Sequence, residues 1–190
     1  MSKSNSNLIK KIILIVTLLL FTNSVNSAEL YSKFGIFDYK HRNSTDALAL
    51  NFKVVSDTDF NLPFLGELNQ IYEFTGLIDK NNVLSDSQVK ETANTEEYAV
   101  YLSTGLAKKI NLSESFSIVP SFSWGFYQEF DHGKDMGLPL EFKSEVEFNF
   151  NIFSNSVIGF TWNHISNADI GDKNPGSDSI LFGFRIKENF

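Results

Sequence analysis

Residues 139–153 read PLEFKSEVEFNFNIF, and the alternation in this stretch decides the fold class. One face is apolar apart from Ser144, and its members are Leu140, Phe142, Val146, Phe148, Phe150 and Ile152. The other face is polar, and its members are Glu141, Lys143, Glu145, Glu147, Asn149 and Asn151. A strand places residues i, i+2 and i+4 in one row, whereas a helix would scatter these phenylalanines around its circumference. The stretch therefore predicts a β-strand with one apolar face.

Other parts of the chain show the same alternation, more weakly near the N-terminus, and we expect each to form a strand. They are residues 30–39, 48–54, 68–77, 98–106, 116–126, 158–166 and 178–186. An even number of segments, each near the ~9–11 residues that a tilted membrane strand needs, predicts an all-β fold. The architecture that we expect is an eight-stranded antiparallel transmembrane β-barrel. Pro120 interrupts its row, so we expect a local bulge there.

The composition bears on which way the apolar rows face. The chain has 19 Phe although only 42% of its residues are hydrophobic, which fits rows that face lipid. A soluble barrel of the lipocalin kind would instead turn the same rows inward, and alternation alone does not distinguish a membrane barrel from a soluble one. The terminal Phe190 resembles the recognition signal of bacterial outer-membrane proteins and favours the membrane. We therefore expect Trp124, Trp162 and Tyr127 to anchor the membrane interface.

The N-terminus predicts export. Three lysines precede an apolar run at residues 12–21, and small or polar residues follow to Ala28, which is the layout of a secretory signal peptide. The run is much shorter than the ~20 residues of a spanning helix, so a transmembrane anchor fits poorly. We expect residues 1–28 to be the signal peptide, with cleavage after Ser27 or Ala28. Residues 29–190 then form one barrel domain.

The connections predict an orientation for a barrel whose termini lie in the periplasm. The turns at residues 111–114 and 154–155 are short and would be periplasmic, whereas the loops at 79–94, 128–138 and 168–177 are longer and would be extracellular. Short turns on one side and longer loops on the other are typical of outer-membrane barrels. The connection at residues 56–67 is longer than this scheme predicts.

Charge and composition exclude several function classes. The formal net charge is −7, so nucleic acid, which binds basic patches, is not an expected partner. There is no Cys, so the exported chain is held by its sheet and not by disulfides. The acidic and amide residues of the 169–178 loop lack the spacing of an EF-hand, and we expect no metal and no cofactor. His41 and His132 are expected to be solvated loop histidines.

A polar constellation interrupts the last two apolar rows. His164 and Ser166 are two residues apart, so on a strand they point the same way, about 6–7 Å apart. Asp178 begins the next strand of the hairpin and should lie beside His164. Such groups on a lipid-facing row are costly unless they pair or serve a function. They match a nucleophilic triad of Ser166, base His164 and orienting Asp178, although a His and a Ser at a strand end can also be structural.

The loop that follows offers groups to stabilise a tetrahedral oxyanion. Asn167, Asn174 and the Gly176 backbone lie beside Ser166, and an oxyanion needs hydrogen-bond donors about 3 Å away.

The stretch HISNA at 164–168, followed by Asn174-Pro175-Gly176 and an acid at 178, resembles the PagL family. The family consists of lipid A 3-O-deacylases of Gram-negative outer membranes, and the match covers roughly residues 159–186. The resemblance implies an eight-stranded barrel with its active site on the outer wall. It also implies His164 as the base, Ser166 as the nucleophile, and Asn167 and Asn174 as oxyanion groups. The family's acid is Glu, whereas this chain has the shorter Asp178, with Asp172 as the nearest substitute.

The resemblance implies an outer-membrane serine esterase that hydrolyses the 3-O-linked hydroxyacyl chain of lipid A in lipopolysaccharide, without a cofactor. Two alternatives stay open from the residues: an outer-membrane phospholipase that uses the same triad, and a non-enzymatic structural barrel of the small OmpA or OmpX kind. The sequence leaves a homodimer possible, and the oligomeric state is open.

Overall fold

The computed structural model describes residues 28–37, 47–57, 60–79, 98–130, 135–153 and 156–186. The strands are β1 (Ala28–Phe37), β2 (Ala47–Ser56), β3 (Asn61–Leu62), β4 (Gly66–Glu67), β5 (Asn69–Asp79), β6 (Tyr98–Ala107), β7 (Ile110–Asn111), β8 (Phe116–Phe130), β9 (Leu140–Phe153), β10 (Ser156–Ser166) and β11 (Ser177–Ile186). The described residues contain no helix long and apolar enough to cross a membrane.

The long strands close into a single antiparallel sheet. Each pairs with the next long strand along the chain, and the first and last, β1 and β11, pair with each other. The predicted all-β, eight-stranded antiparallel barrel is confirmed. The short strands lie outside this cycle: β3 and β4 form a separate hairpin between β2 and β5, and β7 adds two residues beside β8.

The apolar rows face outward. On β9, Phe150 is 51% exposed, whereas Glu145 on the opposite face is 2% exposed. The same contrast holds around the barrel, where the exposed aromatic residues include Phe34, Phe52, Phe74, Phe126, Phe182 and Phe184. A lipocalin-like barrel would have the reverse arrangement, so the soluble alternative is wrong. An apolar wall around a polar lumen is the arrangement that a lipid bilayer requires.

The lumen holds a neutral cluster of three lysines and three glutamates, all with side chains at most 2% exposed: Lys33, Lys53, Lys143, Glu73, Glu145 and Glu147. Glu145 lies at its centre, with Oε1 3.1 Å from Lys33 Nζ and Oε2 3.2 Å from Lys143 Nζ. Lys53 also contacts Glu145. The ion pairs compensate for the cost of burying these charges, so the polar face of β9 is stable when it faces the lumen.

An apolar cluster fills the lumen at the end of the barrel where β10 ends. Its larger members are Phe37, Leu77, Tyr101, Tyr127, Met136, Ile165 and Leu181. Tyr127 is only 4% exposed, so its prediction as an interface anchor is wrong. Successive side chains of a strand point to opposite faces, and Tyr127 directly follows the outward-facing Phe126, so Tyr127 faces the lumen.

The bulge predicted at Pro120 is absent. The pairing of β8 with β9 runs without a register shift from Phe116 to Phe126. On the other side, Lys108 N donates to Pro120 O at 3.0 Å, and the pairs Ala107–Ser121 and Ile110–Ile118 keep one register. Proline therefore removes one ladder donor at the junction of β6 and β7 without displacing the strand.

Some predictions fall outside the described residues. These are residues 1–27 of the signal peptide, His41, His132, the 154–155 turn, most of the 79–94 loop and Phe190.

Candidate active site

The β10–β11 hairpin brings His164 and Asp178 together. They are register partners at the end of the hairpin, directly beside the 167–176 loop. His164 Nδ1 lies 3.3 Å from Asp178 Oδ1, with side chains 42% and 12% exposed. A carboxylate at Nδ1 fixes the ring orientation and leaves Nε2 for a reacting group. The aspartate therefore reaches the histidine directly across the strand pair.

Ser166 lies two residues beyond His164 on the same outward face of β10. Both line a groove of about 410 Å³ on the outer wall. The other lining residues are Phe122, Phe142, Ser144, Ala168 and Ile170. Among the described residues no hydrogen bond joins Ser166 Oγ to His164; such catalytic contacts are often long until substrate binds. The groove combines an apolar surface, which suits an acyl chain, with a polar end formed by β10.

Asn167 is fully buried and holds two loops together. Its Nδ2 donates to Met136 O at 2.8 Å and to Lys173 O at 2.6 Å. These two bonds use both protons of the amide, so the side chain has no donor left for an oxyanion in this conformation. The observed position of Asn167 is that of a clamp immediately after Ser166.

Asn174 closes the loop from the other side. Its Oδ1 accepts from the Asn167 backbone N at 3.1 Å, and its Nδ2 donates to Asp169 Oδ1 at 2.8 Å. These bonds hold a tight turn in which Ala168 and Asp169 have φ of 54° and 57°. Left-handed conformations are costly for residues other than glycine, so the hydrogen bonds offset local strain beside Ser166.

Gly176 packs against the imidazole. Its φ is +61°, and a Cβ placed there would lie 3.0 Å from His164 Cε1 and 3.4 Å from Nε2. Glycine is required both by the backbone conformation and by this close approach. The glycine thus defines one wall of the space in which the histidine ring sits.

Ser144 is a site residue that the sequence argument did not assign. It interrupts the apolar row of β9, pairs in register with His164 on the side opposite Asp178, and lines the groove. The signal was present in the sequence as a polar gap in an otherwise lipid-facing row. Its meaning depends on the β9–β10 register, which the alternation alone does not provide.

An exposed ion pair ties the two loops above the groove. Lys173 Nζ lies 2.7 Å from Asp135 Oδ2, while Asp135 Oδ1 accepts from the Gly137 backbone N at 2.8 Å. The hydrogen bond from Lys173 holds the pKa of the Asp135 carboxyl below its ordinary value and raises the pKa of Lys173. Asp172 makes no described contact with His164. Within the described ranges no group of three potential metal ligands occurs.

Comparison with known proteins gives one family and a set of similar folds. A family model described as lipid A 3-O-deacylase (PagL) matches residues 93–187, half of the chain. The crystal structure of the outer membrane enzyme PagL has a TM-score of 0.52 at 14% identity, covering 84% of this chain and 99% of that chain. Neisserial surface protein A (NspA) gives 0.54 at 8% identity, covering 85% and 96%. Ail of Yersinia pestis gives 0.53 at 12% identity, covering 84% and 96%.

At these identities the structural likeness establishes the barrel fold alone. No curated protein sequence matches the chain significantly.

Proposed function

Because the chain belongs to the PagL family of lipid A deacylases, we propose that it removes the 3-O-linked hydroxyacyl chain of lipid A by ester hydrolysis at Ser166. The barrel is located in the outer membrane of Gram-negative bacteria, where lipid A forms the outer leaflet. The observation that carries the proposal is the His164–Asp178 contact beside Ser166, in a groove on the outer wall.

The reaction would proceed in two steps. His164 Nε2 takes the proton of Ser166 Oγ as the oxygen attacks the ester carbonyl, and the imidazolium returns that proton to the departing sugar oxygen. Water then attacks the acyl-serine with the same base and releases the hydroxy fatty acid. Asp178 holds the imidazole in the required orientation and stabilises its charged form.

The loop contacts change which group we propose for the oxyanion. Both amide protons of Asn167 are engaged by carbonyl oxygens, so we assign it to positioning Ser166 and its turn. Asn174 Nδ2 uses one proton on Asp169 and retains a second, which makes it the better side-chain donor. Gly176 contributes close packing against the ring. One lost oxyanion donor typically lowers kcat by about 10²–10³-fold.

The position of the groove supports a lipid as the substrate. Phe122, Phe142 and Ile170 give the groove an apolar surface on the lipid-facing wall, next to the loops. A lipid can enter this site sideways with its acyl chain still in the bilayer, so the scissile ester at the head-group boundary meets Ser166 at the strand end. No group other than these side chains and water is needed for the chemistry.

Mass spectrometry of lipid A from a Gram-negative host tests the proposal. Cells that express the wild-type chain should show lipid A lighter by one hydroxyacyl group, and cells with Ser166→Ala or His164→Ala should not. Ser144→Ala is the matched control, because it removes a hydroxyl from the same groove and leaves the proposed triad intact. An unchanged lipid A pattern with the wild-type chain would contradict deacylation. Loss of activity only in Ser144→Ala would reassign the nucleophile.

A second assay separates the alternatives. Heat-modifiable gel mobility reports whether each variant forms the barrel, so a folded Ser166→Ala that lacks esterase activity excludes a purely structural barrel. Release of fatty acid from glycerophospholipids, with lipid A untouched, would instead identify a phospholipase with the same triad.

A further inference from the structure

An apolar hairpin projects from the barrel end opposite the active site. Residues 60–66 read FNLPFLG, and β3 and β4 pair across this turn. Phe64 is 101% exposed, Leu65 56% and Phe60 48%. Turns that face water are usually built from small and polar residues, and a cluster of exposed large apolar side chains marks a contact surface.

The strand register fixes the position of the hairpin. It joins Ser56 to Asn69, and these residues pair at the barrel end with Ala28 and Ala107 respectively. The active site lies at the other end, where Phe37 pairs with Ser179 next to Asp178. The hairpin and the active site are therefore separated by the length of the barrel.

A hydrogen bond ties the hairpin to the outer side of the wall. Lys108 Nζ donates to Glu67 O at 3.0 Å. Lys108 continues the outward row of β6 that contains Leu102, which is 52% exposed. The base of the hairpin thus sits at the lipid-facing rim and does not lie beneath the lumen.

The same rim carries other exposed apolar residues. Leu112 in the β7–β8 turn is 58% exposed, Ile110 43% and Phe153 at the end of β9 73%. Ile110 and Leu112 keep the outward parity of Leu102 and so extend the lipid-facing band to this rim, and Phe153 ends β9 at the same rim. A surface that is continuous with the lipid-facing band contacts the same medium as the band, which is the acyl region of the membrane.

We propose that the hairpin of residues 60–67 inserts Phe64 and Leu65 into the phospholipid leaflet at this end of the barrel and anchors the rim there. The occupant of the apolar surface is the acyl and glycerol region of that leaflet. Lys108 suits the boundary, because a lysine can lay its aliphatic stem along apolar surface and keep its ammonium group at the head-group level. This inference concerns a surface far from the groove and is independent of the proposed function.

Site-directed fluorescence tests the insertion, and the chain has no Cys, so a single introduced cysteine is labelled uniquely. Phe64→Cys carries an environment-sensitive nitrobenzoxadiazole label, and the barrel is placed in nanodiscs of phosphatidylethanolamine and phosphatidylglycerol, which leave both leaflets open to solvent. Glu114→Cys is the matched control, since Glu114 is exposed in the polar part of the β7–β8 turn at the same rim. Leu65→Cys provides a second hairpin position, and gel mobility verifies folding of each variant.

The hairpin labels should emit at shorter wavelength than the Glu114 label. Lipid-attached nitroxide should quench them several-fold more strongly, and aqueous iodide several-fold more weakly. Water-like emission and equal iodide quenching at all three positions would overturn the insertion. A blue shift seen only when two barrels share one disc would assign the surface to a second copy of the chain and also overturn it.

Discussion

Replacing Gly176 by alanine is a direct test of whether the position of the His164 ring controls the reaction. The added Cβ would lie 3.0 Å from His164 Cε1 and 3.4 Å from Nε2, so the ring must move by a few tenths of an ångström. The Nδ1–Asp178 distance is 3.3 Å, at the long end for a hydrogen bond, so this bond tolerates little displacement of the ring. The ring would then lose its position relative to Ser166.

The expected loss of activity follows from the size of this shift. A misplacement of 1 Å costs about 100-fold in rate, so a shift of roughly half that distance should lower kcat/KM about 10-fold, or about 1.4 kcal/mol. Alanine at φ +61° also adds about 1–2 kcal/mol of backbone strain. Strain alone affects folding, so a control must share the strain without touching the histidine.

Gly66→Ala supplies that control. Gly66 has φ +71°, and its added Cβ would meet only the flexible end of Lys108, 3.2 Å away at Nζ, at the opposite end of the barrel. Initial rates of hydroxyacyl release from lipid A in mixed micelles should fall about 10-fold for Gly176→Ala and stay near wild type for Gly66→Ala, each normalised to the folded fraction. A wild-type rate for Gly176→Ala, or equal losses in both variants, would refute the role of ring position.

Three further predictions concern the triad and the loops. Asp178→Ala should lower kcat by about 10²–10⁴-fold, whereas Asp178→Glu should retain most activity because its carboxylate still reaches Nδ1; a wild-type rate for Asp178→Ala would remove Asp178 from the mechanism. Asn167→Ala removes the hydrogen bonds to the buried carbonyl of Met136 and the part-buried carbonyl of Lys173. It should lower the free energy of unfolding by about 1–3 kcal/mol for the buried bond and by less for the other, which the denaturant midpoint of the heat-modifiable gel shift measures. The pKa of the Asp135 carboxyl is lowered. The Asp135–Lys173 ion pair should therefore be fully formed at pH values above the ordinary pKa of 3.8, and be lost as the pH falls through the lowered pKa. Limited proteolysis of the loops should therefore be unchanged from pH 7 to 5 in the wild type and faster in Asp135→Asn throughout; identical cleavage of the two proteins would show that the tie does not order the loops.

The barrel was predictable because the alternation of apolar and polar residues within each long strand shows which of its faces is apolar. Alternation placed Phe150 and Glu145 on opposite faces without knowledge of any partner strand, and the Phe-rich rows together with Phe190 assigned the Phe face to lipid. It also placed His164 and Ser166 on one face, since that depends only on their separation along β10. The pairing of His164 with Asp178 followed from the hairpin, in which the connecting loop limits the register.

The remaining features depend on contacts that alternation does not encode. The clamp formed by Asn167 needs the carbonyl of Met136, 31 residues earlier in the chain, and the closing of two loops over one strand end. The neighbour of His164 on β9, Ser144, depends on the register of β9 against β10. Pro120 was expected to bend its strand, yet its missing donor falls at the junction of β6 and β7, where the ladder is already ending. In each case the decisive partner lies in a different strand or loop.

The charged lumen and the outer-wall site are consequences of one strand register. A slip of one residue would turn every side chain of a strand to the other face. On β9 it would expel Lys143, Glu145 and Glu147 from their buried pairs into lipid, which is strongly unfavourable. Because β9 pairs with β10 throughout, the same ion pairs keep Ser166 on the outer wall, while the apolar cluster around Tyr101 fills the lumen behind it. The proposed nucleophile is therefore accessible from the membrane side of the wall, and the lumen charges help to fix that orientation.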